Sequence, residues 1–246
     1  MILALIVPTW FKELRQFTIK KNVLGRTSNL LIDAFKLPNC FFLSVFFSSF
    51  VLFGQVCMAQ TTTKNYEIKV AGIKVGHFTA TEVKESTGQV TYAIDSKVDV
   101  NFLVYKMNTT FVSKSKYQHG TFVNARVDMV SNKGNFYTET KKTKTGYHTK
   151  GEHQNGPFEK AINEPISLSV AKLYFVEPTK ATKVYAEFYG GFMKIKKLEN
   201  GVYHGKIDDN EDTFYYKDGN LIKTEKKNGF KNLEFIYVNT TSEPRH

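Results

Sequence analysis

From Tyr66 onward the chain alternates, residue by residue, between apolar and polar side chains. Tyr66, Ile68 and Val70 alternate with Glu67 and Lys69, and Val90, Tyr92 and Ile94 alternate with Thr91 and Asp95. Thr121, Val123, Ala125, Val127 and Met129 alternate in the same way with Asn124, Arg126 and Asp128. Successive side chains of a strand point to opposite faces, so a period of two predicts strands with one face on a core and the other in water. Asn155-Gly156, Asn200-Gly201, Asp218-Gly219 and Asn228-Gly229 interrupt the pattern with pairs suited to tight hairpins that need positive φ. About eleven strand candidates lie between Tyr66 and Val238, spaced as in an antiparallel meander and too closely for βαβ units.

One segment follows a different period. Ile166, Val170, Leu173 and Tyr174 recur at helical spacing, Asn163 or Ser167 is placed to cap the start, and Pro178 stops the run. A short helix is therefore expected over about 166–175. Lys141 to Gly156 is rich in Thr, Lys, His and Gly and reads as a mobile hairpin tip or loop. No long linker divides the strand-rich halves, so residues 60–246 are expected to form a single β-rich domain. The expected architecture is one strongly curved antiparallel sheet, a half-open or closed barrel, wrapped over the helix.

Beyond residue 60 the chain holds 12 Phe and 13 Tyr. Tyr66, Tyr92, Phe102, Tyr185, Phe192, Tyr203, Phe214 and Tyr216 fall on the apolar sides of strands, as do Phe235 and Tyr237. Aromatics suit half-buried pleated surfaces and pack across strands, which accounts for them as core. The alternative is a concave face enclosing an apolar cavity, and on that reading the first eight are the ligand-binding candidates.

The first 59 residues read as a separate unit, an N-terminal extension followed by a signal peptide. Phe41 to Phe53 is an uncharged apolar and serine run. As a helix it would span only about 20 Å, short of the roughly 30 Å hydrocarbon core of a bilayer. Lys36 precedes it and the small-x-small triplet Cys57-Met58-Ala59 follows, the pattern of a secretory leader cleaved near Ala59. A retained anchor and a lipoprotein are the competing readings, the latter opposed by Gly54-Gln55-Val56 before Cys57. Residues 1–37 exceed an ordinary basic leader region. They reflect either a start codon placed too far upstream or a real extension. Export would put the domain in the periplasm or outside the cell, with no stable transmembrane anchor after cleavage.

Three stretches carry a family resemblance. They are Gly72-Ile73-Lys74-Val75-Gly76, Leu173 to Pro178 followed by Val184 to Gly190, and Phe214-Tyr215-Tyr216-Lys217-Asp218-Gly219. In this order behind a leader they resemble an uncharacterised family of exported Bacteroidetes-type proteins with a domain of unknown function, over roughly residues 64–238. The resemblance implies no catalytic residue. By fold analogy alone it implies a plan similar to the half-open barrels of periplasmic lipid and lipoprotein carriers.

The residues themselves offer little chemistry. Both cysteines, Cys40 and Cys57, lie in the leader region, which excludes a disulfide scaffold, a thiolate metal site and a cysteine nucleophile from the domain. His148, Glu152 and His153 are close in sequence but lack the helical spacing of zinc hydrolases. Asp208, Asn210 and Asp212 imitate the start of a calcium loop. Thr213 then stands where glycine is needed and Gly219 where glutamate is needed, so a charged hairpin tip is expected instead. There is no Gly-x-Ser-x-Gly elbow and no phosphate-binding glycine loop, so no cofactor is expected. Glu177 and Glu187 are the acids set among the aromatic segments and the first places to seek a hidden active site. The net charge of +11 is diffuse, partly due to the leader, and export argues against nucleic acid as partner. These features point to an exported binding or envelope-maintenance module that takes a hydrophobic ligand such as a lipid. The alternatives are a structural module pairing with an envelope component, and a hydrolase of unfamiliar type.

Overall fold

A computed structural model describes residues 59–102, 105–227 and 232–245. Residues 1–58 of the expected leader region over 1–59 and the Asn228-Gly229 turn lie outside the described residues, as does the Phe102 side chain. The chain runs through β1 (Ala59–Val70), β2 (Ile73–Lys84), β3 (Gln89–Phe102), β4 (Tyr105–Gln118), β5 (Thr121–Ser131), β6 (Gly134–Lys142), β7 (Tyr147–His153) and β8 (Gly156–Ile162). A single helical turn, α1 (Val170–Leu173), follows. Then come β9 (Lys183–Ala186), β10 (Gly191–Glu199), β11 (Val202–Ile207), β12 (Asn210–Lys217), β13 (Asn220–Lys226) and β14 (Leu233–Arg245).

All fourteen strands form one antiparallel sheet in the order β8-β7-β6-β5-β4-β3-β2-β1-β14-β13-β12-β11-β10-β9. Two meanders are thus joined where the first strand pairs with the last. Fourteen strands replace the expected eleven, and the difference is physical. The expected loop over 141–156 holds the end of β6, all of β7 and the turn into β8. The inward positions of β7 are Tyr147, Thr149 and Gly151, all buried, so two of its three core residues carry no apolar signal.

Alternation locates the inner face where the strands are regular: Tyr66, Ile68, Tyr92 and Ile94 are all buried. It fails at β-bulges, where an extra residue reverses the phase. In the β4–β5 pair Tyr117 faces Phe122 while Lys116 faces Asn124, which leaves Val123 as the additional residue. Phe122 therefore turns inward together with Ala125 and Val127, against the expected Thr121-Val123 phase.

The expected helix over 166–175 shrinks to α1, and its first half is extended. Tyr185 N–H donates to Leu168 O at 2.9 Å, and Ser169 forms an isolated parallel bridge with Tyr185. That bridge also explains why the sheet is open, correcting the closed-barrel alternative. The outer edge of β9 is occupied by Leu168-Ser169, so β8 and β9 share no ladder. Lys160 on β8 reaches the gap and donates to Tyr189 O at 3.2 Å.

The segment around α1 lies against the inner face of both halves of the sheet. Tyr216 on β12 donates to Leu173 O at 2.8 Å, and Tyr203 on β11 donates to Glu177 Oε1 at 2.7 Å. On the other half, Phe175 packs on Tyr92 of β3 with 5.7 Å between ring centres, and Lys172 Nζ lies 4.5 Å from the ring centre of Tyr117 on β4. Strands β4 and β11 are seven positions apart, which in a flat sheet is about 34 Å at roughly 4.8 Å per strand. Both can meet one short segment only because the sheet bends around it. Among the described residues no helix is long and apolar enough to cross a membrane.

Candidate functional site

The α1 segment fills only one end of the concave face. Towards the other end, where the β5–β6, β7–β8 and β11–β12 turns lie, a cavity of about 750 Å³ remains. Phe78, Ile94, Val98, Phe111, Met129 and Phe136 line one side, and Met193, Ile207, Leu233 and Phe235 line the other. Val170, Tyr174, Ala186 and Glu187 line the part next to α1. Lys133, Gln154, Asn155, Asp208, Asp209 and Lys227 are exposed cavity residues on the turns and form a charged rim. Asp208 adopts φ 49° in the β11–β12 turn, so the acidic run is a charged hairpin tip, as expected.

The inward residues of β4 include Ser113, which lines the cavity, and Ser115, which does not. Ser115 is used by Glu187: its hydroxyl donates to Oε1 at 2.8 Å. The same carboxylate accepts from Ala171 N at 3.1 Å and, through Oε2, from Val170 N at 3.0 Å. Glu187 thereby supplies the two amide partners that the Ser169 side chain does not provide at the start of α1. Burial pushes its carboxyl pKa above the ordinary glutamate value, against the hydrogen bonds, which act the other way.

Seven of the eight aromatic candidates, all but Phe102, are described, and they occupy a different place from the cavity wall. Tyr66, Tyr92, Tyr185, Tyr203, Phe214 and Tyr216 are buried, and Phe192 is half-buried against the core. None of these seven lines the cavity. They pack around α1 through edge-to-face contacts, such as Tyr66 with Tyr174 at 5.4 Å and Tyr203 with Tyr216 at 5.6 Å between ring centres. Tyr66 also donates its hydroxyl to Leu221 O at 3.0 Å. The cavity aromatics are instead Phe78, Phe111, Phe136, Phe188 and Phe235, with Tyr174 and Tyr189. Of these, Phe235 carries the alternation signal used for the other nine, whereas Phe188 follows β9 and no period marks it.

The chemistry candidates do not converge. His148 and Glu152 share parity on β7 while His153 has the opposite one, so the sheet separates them. His148 pairs outside with Glu159, and His153 stacks on Phe188 at the cavity with 4.4 Å between ring centres. Glu177 accepts from Tyr203 beside the α1 end, away from the cavity lining that holds Glu187.

The family described as a domain of unknown function, DUF6134, matches residues 66–238. The chain belongs to this family. No curated protein matches the sequence. The DUF6134 match runs from Tyr66 in β1 to Val238 in β14 and includes every residue that lines the cavity. The resemblance seen in the sequence thus extends to a domain whose two meanders and α1 segment together make one concave interior.

Proposed function

We propose that this DUF6134 domain is an exported, non-enzymatic binding protein that holds an apolar ligand, such as a lipid acyl chain, in its cavity. The observation that supports this reading is the cavity itself: about 750 Å³, walled largely by phenylalanine, methionine and aliphatic side chains, with one buried acid, Glu187, next to α1 and the other charged residues towards the turns. Export is part of the proposal. Strand β1 begins at Ala59, so cleavage there leaves its pairing with β14 and β2 complete from Gln60 onward. The envelope-partner alternative would use the free edge at β8. That strand presents Pro157, Glu159 and Lys160, residue types with which edge strands resist pairing, and this favours the carrier.

Native mass spectrometry of the purified protein, with organic extraction of any bound material, tests the reading. A co-purifying acyl-chain compound, or uptake of the fluorescent apolar probe N-phenyl-1-naphthylamine at one per chain, is the expected result. A ligand-free protein that also leaves the probe in water would overturn it.

A further inference from the structure

Among the residues that line the cavity, Ser113 carries a fully buried hydroxyl without a partner. The residue is only 2 % exposed. Its neighbour two residues along the same inward face, Ser115, has its hydroxyl committed to Glu187. Across the flanking strands Ser113 faces Ile94 on β3 and Val127 on β5, whose side chains can neither accept nor donate. A buried hydroxyl left unpaired costs about 1–3 kcal/mol. Thr61, Tyr117, Ser169 and Thr224 also carry one among the described residues, and of the five Ser113 alone lines the cavity.

We infer that Ser113 is the interior polar contact of the ligand, and that the ligand is an amphiphile with an uncharged oxygen, a hydroxyl or an ester carbonyl, at that depth. The inference rests on the carrier reading and narrows it. Serine both donates and accepts, so it serves either oxygen. A carboxylate or phosphate is disfavoured at the same place. The basic residues of the lining, Lys133, Lys226 and Lys227, all lie towards the turns, while the ionisable group near α1 is the acid Glu187. An anion beside Ser113 would be desolvated without a counter-charge.

The test compares 1-dodecanol, dodecane and dodecanoate as competitors for N-phenyl-1-naphthylamine bound to the purified protein and to the Ser113→Ala variant. The wild type is expected to take dodecanol about tenfold more tightly than dodecane, the worth of one hydrogen bond, and dodecanoate most weakly. Ser113→Ala is expected to abolish the preference for the alcohol while leaving dodecane unchanged. It is also expected to leave the ligand-free protein as stable as before or more so, since it removes an unpaired polar group. Equal affinity of the wild type for alcohol and hydrocarbon overturns the inference, as does a preference that survives in the variant or a variant less stable without ligand. In each of these cases probe uptake leaves the carrier reading standing. A wild type that takes up no probe overturns the carrier reading first, and the inference with it.

Discussion

Ser115 on β4 donates its hydroxyl to Glu187, which directly follows β9, at 2.8 Å. In the sheet order β4 and β9 are nine strands apart, and this bond joins them across the interior. The same carboxylate holds the first amides of α1. A single buried side chain therefore fixes the α1 segment to the wall and sets where the packed core stops and the cavity starts.

Replacing Glu187 with alanine should be costly, because it strands the Ser115 hydroxyl and the amides of Val170 and Ala171. A loss of about 3 kcal/mol is expected from urea unfolding, and about 1 kcal/mol for Ser115→Ala. The double variant should lose less than the sum, since the two changes remove the same bond.

Stability should also depend on pH through Glu187. Burial raises its folded-state pKa, so the folded chain holds this proton more tightly than the unfolded one. The stabilising contribution is complete below the unfolded value, about 4.3, and is lost as pH rises through the folded value. Urea midpoints measured from pH 4 upward should fall along that range, and Glu187→Gln should flatten the profile.

Two glycine substitutions should separate crowding from backbone strain. A Cβ at Gly76 would lie 2.2 Å from Lys97 O within the β2–β3 ladder, and Gly76→Ala should cost roughly 2–3 kcal/mol or prevent folding. At Gly219 the space is open but φ is +73°, so Gly219→Ala should cost only about 1 kcal/mol. Thermal unfolding of the two variants side by side checks the order.

Cavity wall and packed core should respond oppositely in a ligand assay. Met129→Trp places a large ring in the lining and should reduce probe uptake several-fold with the fold retained, as read by circular dichroism. Tyr216→Phe removes only the bond to Leu173 O and should cost about 1 kcal/mol of stability with uptake unchanged. Loss of uptake in the second variant alone would place the binding surface among the aromatics around α1.

Much of the strand structure was legible because its cause is local. The alternation through Tyr66-Ile68 and Tyr92-Ile94 follows from strand geometry, and the Asp218-Gly219 turn follows from the left-handed conformation both residues adopt, φ 51° and 73°. The signal faded where the interior is polar or small, as at Thr149 and Gly151 in β7. It inverted where the bulge at Val123 brings Phe122 inward. The helical period from Ile166 was real only from Val170, because Ser169 is held extended by its bridge to Tyr185, and no local pattern shows a pairing made sixteen residues away.

By itself the sequence determined that the chain forms antiparallel strands, which side chains share a face where those strands are regular, and that this face is rich in aromatic groups. Tertiary structure alone decided that the sheet stays open, that Tyr66, Tyr203 and Tyr216 pack around α1, and that the cavity falls to Phe111, Met193 and Ser113. The physical reason is the range of the interactions. Side-chain alternation is set by one strand's own backbone, whereas the division of a common face into core and cavity depends on where Glu187 and Ser115 bring together strands far apart in the sheet.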